Sequence, residues 1–286
     1  MTPAAQSPQI LDAHLHVWDL RVNTYPWLTP ELGPLYANYS IQQARAEARA
    51  AGISEAILVQ AEDSVAETDY LLGLAAEHSW VRGVVGWLPL DDPAAAAALL
   101  ERYDHNPLLV GLRHLIHDDP RPDLLDSPEG RRTMAAVAEH GYPVDIPDAW
   151  PRHLQQVERL AAAVPGLTIV VDHLAKPPRG QADFGDWANT LHQVAAHEKT
   201  VAKLSGLHKP GQPYTAAALR PSWEVALEAF GPDRLLYGSD WPMSVPHGGY
   251  GPTHEVLMEL VSELSAPERT RILRDTARRV YRSADS

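Results

Sequence analysis

Short apolar runs recur along the chain, separated by longer stretches with helical spacing of apolar residues. Most of the short runs are continuously apolar, which is typical of parallel strands buried on both faces. The predicted strands are Ile10–His16, Glu55–Gln60, Val81–Leu88, Leu109–Ile116, Pro143–Ile146, Thr168–Leu174, Thr200–Ser205 and Leu235–Asp240. Parallel strands need crossover connections, so the segments between them should contain helices.

Helix-start signals occupy those intervening segments. Ser40-Ile-Gln-Gln43 is a capping-box pattern that opens a helix ending near Gly52, and Ser64-Val-Ala-Glu67 opens another helix. Asp92-Pro93 and Ser127-Pro128 each place a capping residue before a proline at the first helical position. The remaining predicted helices are Arg152–Val164, Asp186–Glu198, Thr215–Phe230, Thr253–Leu264 and a last helix from Ser265 to about Tyr281.

Eight strands alternating with helices predict an α/β fold, a (β/α)8 barrel of the TIM type. The competing arrangement is a doubly wound open sheet, but no Gly-x-Gly-x-x-Gly pattern follows the first strand. A chain of 286 residues is long enough for two domains, yet the strand–helix units use almost all of it without a low-complexity linker. We therefore expect one barrel domain over residues 1–286, with residues 1–9 disordered.

The composition narrows the chemistry that is available. With 45% hydrophobic and 21% charged residues the chain is an ordinary globular protein, and without cysteine it has neither thiolate nucleophiles nor cysteine-bound zinc. Its net charge of −13 argues against nucleic acid and anionic membranes as partners. The N-terminus lacks a secretory signal and no apolar run approaches the ~20 residues of a membrane helix, so we expect a cytoplasmic protein.

Polar residues lie near the ends of several predicted strands. Active sites of (β/α)8 barrels lie at the carboxyl ends of the strands, so these side chains should converge on one rim. They are His14, His16, Arg113, His114, Asp145, His173, Lys203, His208 and Asp240. His14 and His16 are two residues apart on a strand, so both rings share a face and can hold one metal ion or one substrate oxygen. The alternative is a pair of hydrogen-bonded structural histidines.

Asp240 and His173 are candidates for the reaction itself. A carboxylate within an apolar strand is partly desolvated, which favours a shifted pKa and a general-base role for Asp240, and a cap of the following turn is the alternative. His173 is either catalytic or a buried structural histidine. Strand alternation places its neighbour Asp172 on the opposite face, where it would orient another group. Lys176 is either a site lysine or a solvated loop residue.

Two cationic side chains, Arg113 and Lys203, lie inside apolar strands. Each needs a polar or charged partner, because burying an unpaired charge is unfavourable. Arg113 would bind a substrate anion or carbonyl, or form an ion pair with a carboxylate at a strand end. The strand period leaves open whether Arg113 or His114 faces the pocket. Lys203 has the same two alternatives.

The long segment Val17–Tyr39, between the first strand and the first helix, is rich in aromatic residues. Long loops at this position usually form pocket walls, so Trp18 and Trp27 are candidates for stacking on a substrate ring, as is Trp241 after the last strand. A small core beneath the loop is the alternative. The aromatic-rich loops are also compatible with a homo-oligomer.

Six segments together resemble the amidohydrolase superfamily. They are Asp12-Ala-His-Leu-His-Val-Trp-Asp19, Tyr25-Pro-Trp-Leu28, Gly111-Leu-Arg-His114, Val171-Asp-His-Leu-Ala-Lys-Pro177, Lys203-Leu-Ser-Gly206 and Tyr237-Gly-Ser-Asp-Trp-Pro242. More narrowly, they are similar to the amidohydrolase-related branch that contains L-fucono-, L-rhamnono- and galactono-lactonases and 2-pyrone-4,6-dicarboxylate lactonase. The resemblance implies an amidohydrolase-type barrel that hydrolyses a small cyclic ester.

The resemblance also implies site residues. It assigns catalytic roles to His14, His16, His173 and Asp240, with Asp240 as the general base. Members with two metal ions carry a histidine or a carboxylated lysine on the middle strands, where this chain has Asp145, and this argues against a binuclear centre. Two alternatives stay open, namely one divalent ion, zinc or manganese, held by His14, His16 and Asp240, or a site without metal.

The expected reaction opens a neutral sugar 1,4- or 1,5-lactone to its hydroxy acid in carbohydrate catabolism. A pyrone dicarboxylate would need several convergent arginines, and Arg113 alone is well placed in an acidic chain. The residues expected to hold the substrate are Arg113, His114, Trp18, Trp27, Asp145, Lys203, His208 and Trp241. The alternatives are a dicarboxylate pyrone or muconolactone-type lactonase, a decarboxylase of the same superfamily, and a non-catalytic barrel that only binds a ligand.

Overall fold

The computed structural model of the protein describes residues 9–117 and 119–282, so the predicted disorder of residues 1–9 falls, apart from residue 9, outside it. The described residues form an eight-stranded sheet in which consecutive strands pair in parallel, in the order β1 to β8. The strands are β1 Leu11–Leu15, β2 Glu55–Val59, β3 Val81–Trp87, β4 Leu109–Arg113, β5 Val144–Ile146, β6 Ile169–Val171, β7 Thr200–Leu204 and β8 Leu235–Tyr237. The predicted (β/α)8 barrel is confirmed.

A helix follows each strand within the described residues. The helices are α1 Ile41–Ala50, α2 Val65–Glu77, α3 Pro93–Tyr103, α4 Pro128–His140, α5 Leu154–Ala163, α6 Phe184–Ala195, α7 Ala216–Phe230 and α8 Tyr250–Val261. The side chains of Ser40, Ser64, Asp92 and Ser127 accept backbone N–H groups at the starts of α1 to α4, as their patterns predict. No helix of the described residues is long and apolar enough to cross a membrane.

The barrel closes between β1 and the segment that follows β8. Leu15 forms a parallel bridge with Trp241, whose carbonyl accepts the His16 N–H at 2.8 Å. The Asp240 N–H donates to the His14 carbonyl at 2.9 Å. The same backbone hydrogen bonds that close the barrel therefore hold Asp240 beside the two histidines of β1.

The barrel interior is apolar toward one end and polar toward the other. Leu11 and Ala13 of β1 belong to an interior apolar cluster that includes Tyr281. The pairing register between β1 and β2 shifts between Asp12 and Leu15, which interrupts strict alternation of side chains. Because of this shift β1 contributes Leu11 and Ala13 to the apolar cluster and also turns His14 inward.

The C-terminal helical segment covers the apolar end of the barrel. It consists of Ala266–Thr270, a π-helical turn Arg271–Asp275, and Thr276–Val280. Ala277, Val280 and Tyr281 pack into the interior apolar cluster. This end is filled by side chains, which leaves the carboxyl ends of the strands for a pocket.

Three strands end three residues earlier than the apolar runs predicted. β4 ends at Arg113, β6 at Val171 and β8 at Tyr237, in place of Ile116, Leu174 and Asp240. After β6 the chain makes a 3-10 turn at Asp172–Ala175, where His173 has a left-handed φ of 56°. Asp240 has a similar φ of 55°. Both side chains therefore leave from irregular backbone, and strand alternation does not determine their directions.

Candidate active site

A pocket of about 140 Å³ opens at the carboxyl ends of the strands. Seven residues considered from the sequence line it, namely His16, Trp18, Trp27, Arg113, His173, Lys176 and Asp240. The lining also contains Asp148, Leu115 and Met243. The pocket therefore combines charged groups on its floor with apolar walls, as ligand pockets commonly do.

The floor of the pocket brings one carboxylate against three imidazoles. The Nε2 atoms of His14 and His16 lie 3.0 Å apart, and Oδ1 of Asp240 lies 3.7 Å and 3.6 Å from them. The Nε2 atom of His173 lies 4.0 Å from the same oxygen. All four residues are at most 6% exposed. Three histidines and one aspartate from β1, the turn after β6 and the segment after β8 thus share one small volume.

Hydrogen bonds restrict the protonation of the histidine pair. The Val59 carbonyl can only accept, so Nδ1 of His16, 2.7 Å away, carries the proton and Nε2 presents a lone pair. Nδ1 of His14 lies 3.3 Å from Oδ1 of Asp172 and 3.1 Å from Nζ of Lys203. If it donates to Asp172, both Nε2 atoms present lone pairs to each other and a cation must lie between them. If it accepts from Lys203, His14 Nε2–H donates to His16 instead.

Burial and neighbouring charges shift the pKa values of the residues on the pocket floor. Burial lowers the pKa of His14 and of His173, which disfavours their protonated forms. Burial alone would raise the pKa of Asp240, but the neighbouring His173 and His16 outweigh it and hold the pKa of that carboxyl well below its ordinary value. An ionised carboxylate is the form of Asp240 that binds a metal ion or accepts a proton.

The donor atoms fit a divalent metal ion. The ligand atoms of His14, His16 and Asp240 all lie within 4.8 Å of one another. Separations of 3.0 to 3.7 Å between them are those expected of atoms that are each about 2.0–2.2 Å from one ion. The hydrogen bond from His16 to the Val59 carbonyl is also the kind of outer contact that orients metal-binding histidines.

A buried charge network lies beneath this floor. Lys203, fully buried, donates to Asp145 and lies 3.1 Å from Oδ1 of Asp172. The Tyr281 hydroxyl donates to Oδ1 of Asp145 at 2.7 Å. Lys203 and Asp145, both expected to hold substrate, are thus absent from the pocket lining, and Lys203 forms the structural ion pair that was its alternative.

Asp172 is the residue that the strand pattern misplaced. The expectation that Asp172 points to the face opposite His173 is wrong, because β6 ends at Val171 and the Asp172 carboxylate in the following turn lies in the barrel interior against Lys203 and Arg113. Despite burial, Lys203 and His14 hold the pKa of Asp172 well below its ordinary value. Oδ1 of Asp172 lies 3.3 Å from Nδ1 of His14 and 3.1 Å from Nζ of Lys203. An aspartate next to a histidine at a predicted strand end is the sequence signal that could have identified it.

The structure separates the neighbours Arg113 and His114. Arg113 lines the pocket, donates to the Gln60 carbonyl at 2.6 Å and lies 3.3 Å from Oδ2 of Asp172. His114 is absent from the lining and accepts the indole N–H of Trp87 at 3.1 Å. Of these two neighbours, Arg113 faces the pocket.

The aromatic loop contributes to the pocket wall and also forms a small core. Trp18 and Trp27 line the pocket, and their rings also pack edge to face at 5.5 Å within a small loop core. Their indole N–H groups donate at 2.7 Å to the carbonyls of Ala37 and Ala61. Because those donors are occupied, the two rings present apolar faces and edges to a ligand.

Two further predicted residues lie away from this pocket. Trp241 is buried and packs edge to face on Tyr39 at 5.2 Å. His208 lines a second cavity, stacks on Tyr214 at 3.7 Å and has Nε2 3.0 Å from the Thr253 hydroxyl. Neither is placed to touch a ligand in the first pocket.

Gly206 provides a test of how tightly His173 is held. Gly206 has a φ of +56°, and an added Cβ would fall on the His173 ring. We expect Gly206→Ala to lower the free energy of unfolding by about 1–3 kcal/mol, because the ring must move and alanine disfavours this backbone. Urea denaturation measures it. Gly73→Ala in α2, where a Cβ meets nothing within 4 Å, should raise stability by about 0.5–1 kcal/mol, and equal shifts in both variants would contradict the assignment.

Comparison with known proteins agrees with this architecture. The L-fucono-1,5-lactonases of Burkholderia ambifaria and Burkholderia multivorans are 31% and 32% identical, over 84% and 95% of this chain and 83% and 95% of theirs. A solved amidohydrolase from Burkholderia multivorans with bound zinc superposes with a TM-score of 0.85 at 30% identity, covering 96% of this chain and 99% of its own. Residues 11–283 match the amidohydrolase family, and the resemblance seen in the sequence is confirmed. The chain belongs to the amidohydrolase family.

Proposed function

We propose that this protein opens a sugar 1,4- or 1,5-lactone to the corresponding hydroxy acid. The observation that carries the proposal is the approach of one Asp240 oxygen to within 4.0 Å of three imidazole Nε2 atoms on the pocket floor. Two relatives named L-fucono-1,5-lactonase, each more than 30% identical over most of the chain, support the substrate class.

Lactone opening needs an attacking water, stabilisation of a developing oxyanion and a proton for the leaving alkoxide. Asp240, held ionised, accepts the proton from water and returns it to the ring oxygen. His173 has Nδ1 2.9 Å from the Ser205 hydroxyl. When Ser205 donates to Nδ1, Nε2 carries a proton toward the pocket and donates to the carbonyl oxygen as its negative charge grows.

His14, His16 and Asp240 are the residues proposed to hold one divalent ion, zinc or manganese. The ion would polarise the lactone carbonyl as a Lewis acid. The bare Nε2 of His16, the short separations between the three ligand atoms and the zinc in the solved relative support this assignment. Asp172 would then keep the Nδ1 proton of His14 and direct its Nε2 lone pair to the same point.

The charges around the pocket favour a neutral substrate. Arg113 is paired with Asp172, and Lys176 lies 3.7 Å from Oδ1 of Asp148. Asp240 adds a further negative charge, so the pocket has no excess of cations for a dicarboxylate. Oδ1 of Asp148 is buried without a hydrogen-bond partner among the described residues, and it would accept a hydroxyl of a sugar lactone.

A lactone panel tests the proposal. Purified protein, alone and with added Zn²⁺ or Mn²⁺, is assayed by acid release on L-fucono-, L-rhamnono-, L-galactono- and D-glucono-lactones and on 2-pyrone-4,6-dicarboxylate. We expect kcat/KM for at least one sugar lactone to exceed that for the dicarboxylate by about 100-fold, because unpaired negative charge is disfavoured in this pocket. Failure to open any lactone under all metal conditions would overturn the proposed function.

A further inference from the structure

A second cavity of about 410 Å³ lies beside the catalytic pocket. Segments that follow β5, β6 and β7 form it, so it belongs to the same end of the barrel. Lys176 lines both cavities, and its Nζ donates to the Gly206 carbonyl at 2.7 Å. The two cavities therefore adjoin at a cation.

The second cavity contains a buried cation without a carboxylate partner. Arg179 is 6% exposed, and its guanidinium donates to the main-chain carbonyls of Leu207 at 2.8 Å and Pro213 at 3.2 Å. Among the described residues no carboxylate forms an ion pair with it. Neutral carbonyls satisfy its hydrogen bonds but leave its charge uncompensated, which is unfavourable in a buried position.

The rest of the lining adds positive charge. Lys209 is partly buried and its side chain has no hydrogen-bond or ion-pair partner among the described residues. The carboxylate in the lining, Asp183, accepts the indole N–H of Trp150 at 2.9 Å. Lys176 is already 3.7 Å from Oδ1 of Asp148, so Arg179 and Lys209 are the cations that leave a local positive charge beside Asp183 in a chain whose net charge is −13.

We propose that the second cavity binds the carboxylate of a small hydroxy acid, the product that leaves the catalytic pocket. This inference rests on the proposed function, since opening a lactone converts a neutral ring into an anion. The new negative charge forms beside Lys176, which already borders the cationic cavity. Arg179 and Lys209 supply the binding cations, because charge-assisted hydrogen bonds to a carboxylate are stronger than those to neutral carbonyls.

Direct binding tests the inference without turnover. Sodium gluconate, inorganic phosphate and neutral sorbitol are titrated calorimetrically into the full chain and into Arg179→Gln, Lys209→Gln and Lys199→Gln. Lys199 is an exposed lysine before β7, at the opposite end of the barrel, and serves as the charge-matched control. We expect gluconate to bind about 5–10-fold more weakly to Arg179→Gln and Lys209→Gln, and Lys199→Gln to bind it like the parent chain. Sorbitol should show no saturable binding.

Several results would overturn the inference. Equal gluconate affinity in all four proteins would place the acid elsewhere, as would sorbitol binding as tightly as gluconate. Phosphate binding without gluconate binding would identify an inorganic anion as the occupant. If Arg179→Gln does not fold, the comparison of gluconate affinity between Lys209→Gln and Lys199→Gln tests the inference. Hydrolysis of lactones with no such gluconate site contradicts this inference alone, whereas gluconate binding without lactone hydrolysis contradicts the proposed function.

Discussion

Asp240→Asn should reduce turnover of the best sugar lactone by about 10²–10⁴-fold, the usual contribution of a positioned general base. An amide has the shape of the carboxylate but cannot take a proton from water. The effect should fall on kcat, because Asp240 acts while bonds are changing. Steady-state acid release measures it.

Asp148→Asn is the matched control, since it makes the same substitution in the same pocket. Asp148 faces Lys176 and lies outside the histidine cluster, so its replacement should change KM more than kcat. Zinc content is measured for both variants, which separates proton transfer from loss of a metal ligand. An Asp240→Asn protein that retains metal and most of its turnover would contradict the general-base assignment.

Lys203→Met should produce the largest loss of stability, about 3–5 kcal/mol in the free energy of unfolding. The substitution leaves Asp145 and Asp172, both fully buried, without their shared cation. Burial already raises the pKa of Asp145 to about 6 against the opposing effect of Lys203, so losing the lysine favours a protonated Asp145. Urea denaturation at neutral pH measures the change.

Two further variants make this expectation specific. Lys199→Met changes an exposed lysine and should alter stability by no more than about 0.5 kcal/mol. Lys203→Met combined with Asp145→Asn should recover part of the loss, because one of the uncompensated buried charges is also removed. A loss below about 1 kcal/mol for Lys203→Met would mean that the buried network contributes little to the fold.

The strand pattern located much of the site because barrel geometry brings strand ends together. His14 and His16 share a face by period two, and Asp240 and His173 end predicted strands, so the convergence of all four on one floor was foreseeable. The same reasoning misplaced Asp172, because period two applies only while the backbone stays extended.

Other residues depended on contacts that lie far apart in the chain. The strand positions of Lys203 and Asp145 are compatible with either lining the pocket or pairing in the barrel interior. In the structure the two side chains form a buried ion pair in the interior. Lys176, Arg179 and Lys209 line the second cavity from two different loops. No local sequence pattern predicts that these three side chains lie close together.

The sequence by itself determined the barrel, the family and the identity of the polar groups at the strand ends, because burial periodicity and helix capping are local properties. Tertiary structure decided which of those groups share a volume. The register shift in β1, the early end of β6 and the closure at Trp241 set the directions of His14, Asp172 and Asp240. Such directions arise from the packing of strands that are distant in sequence, so no local pattern carries them.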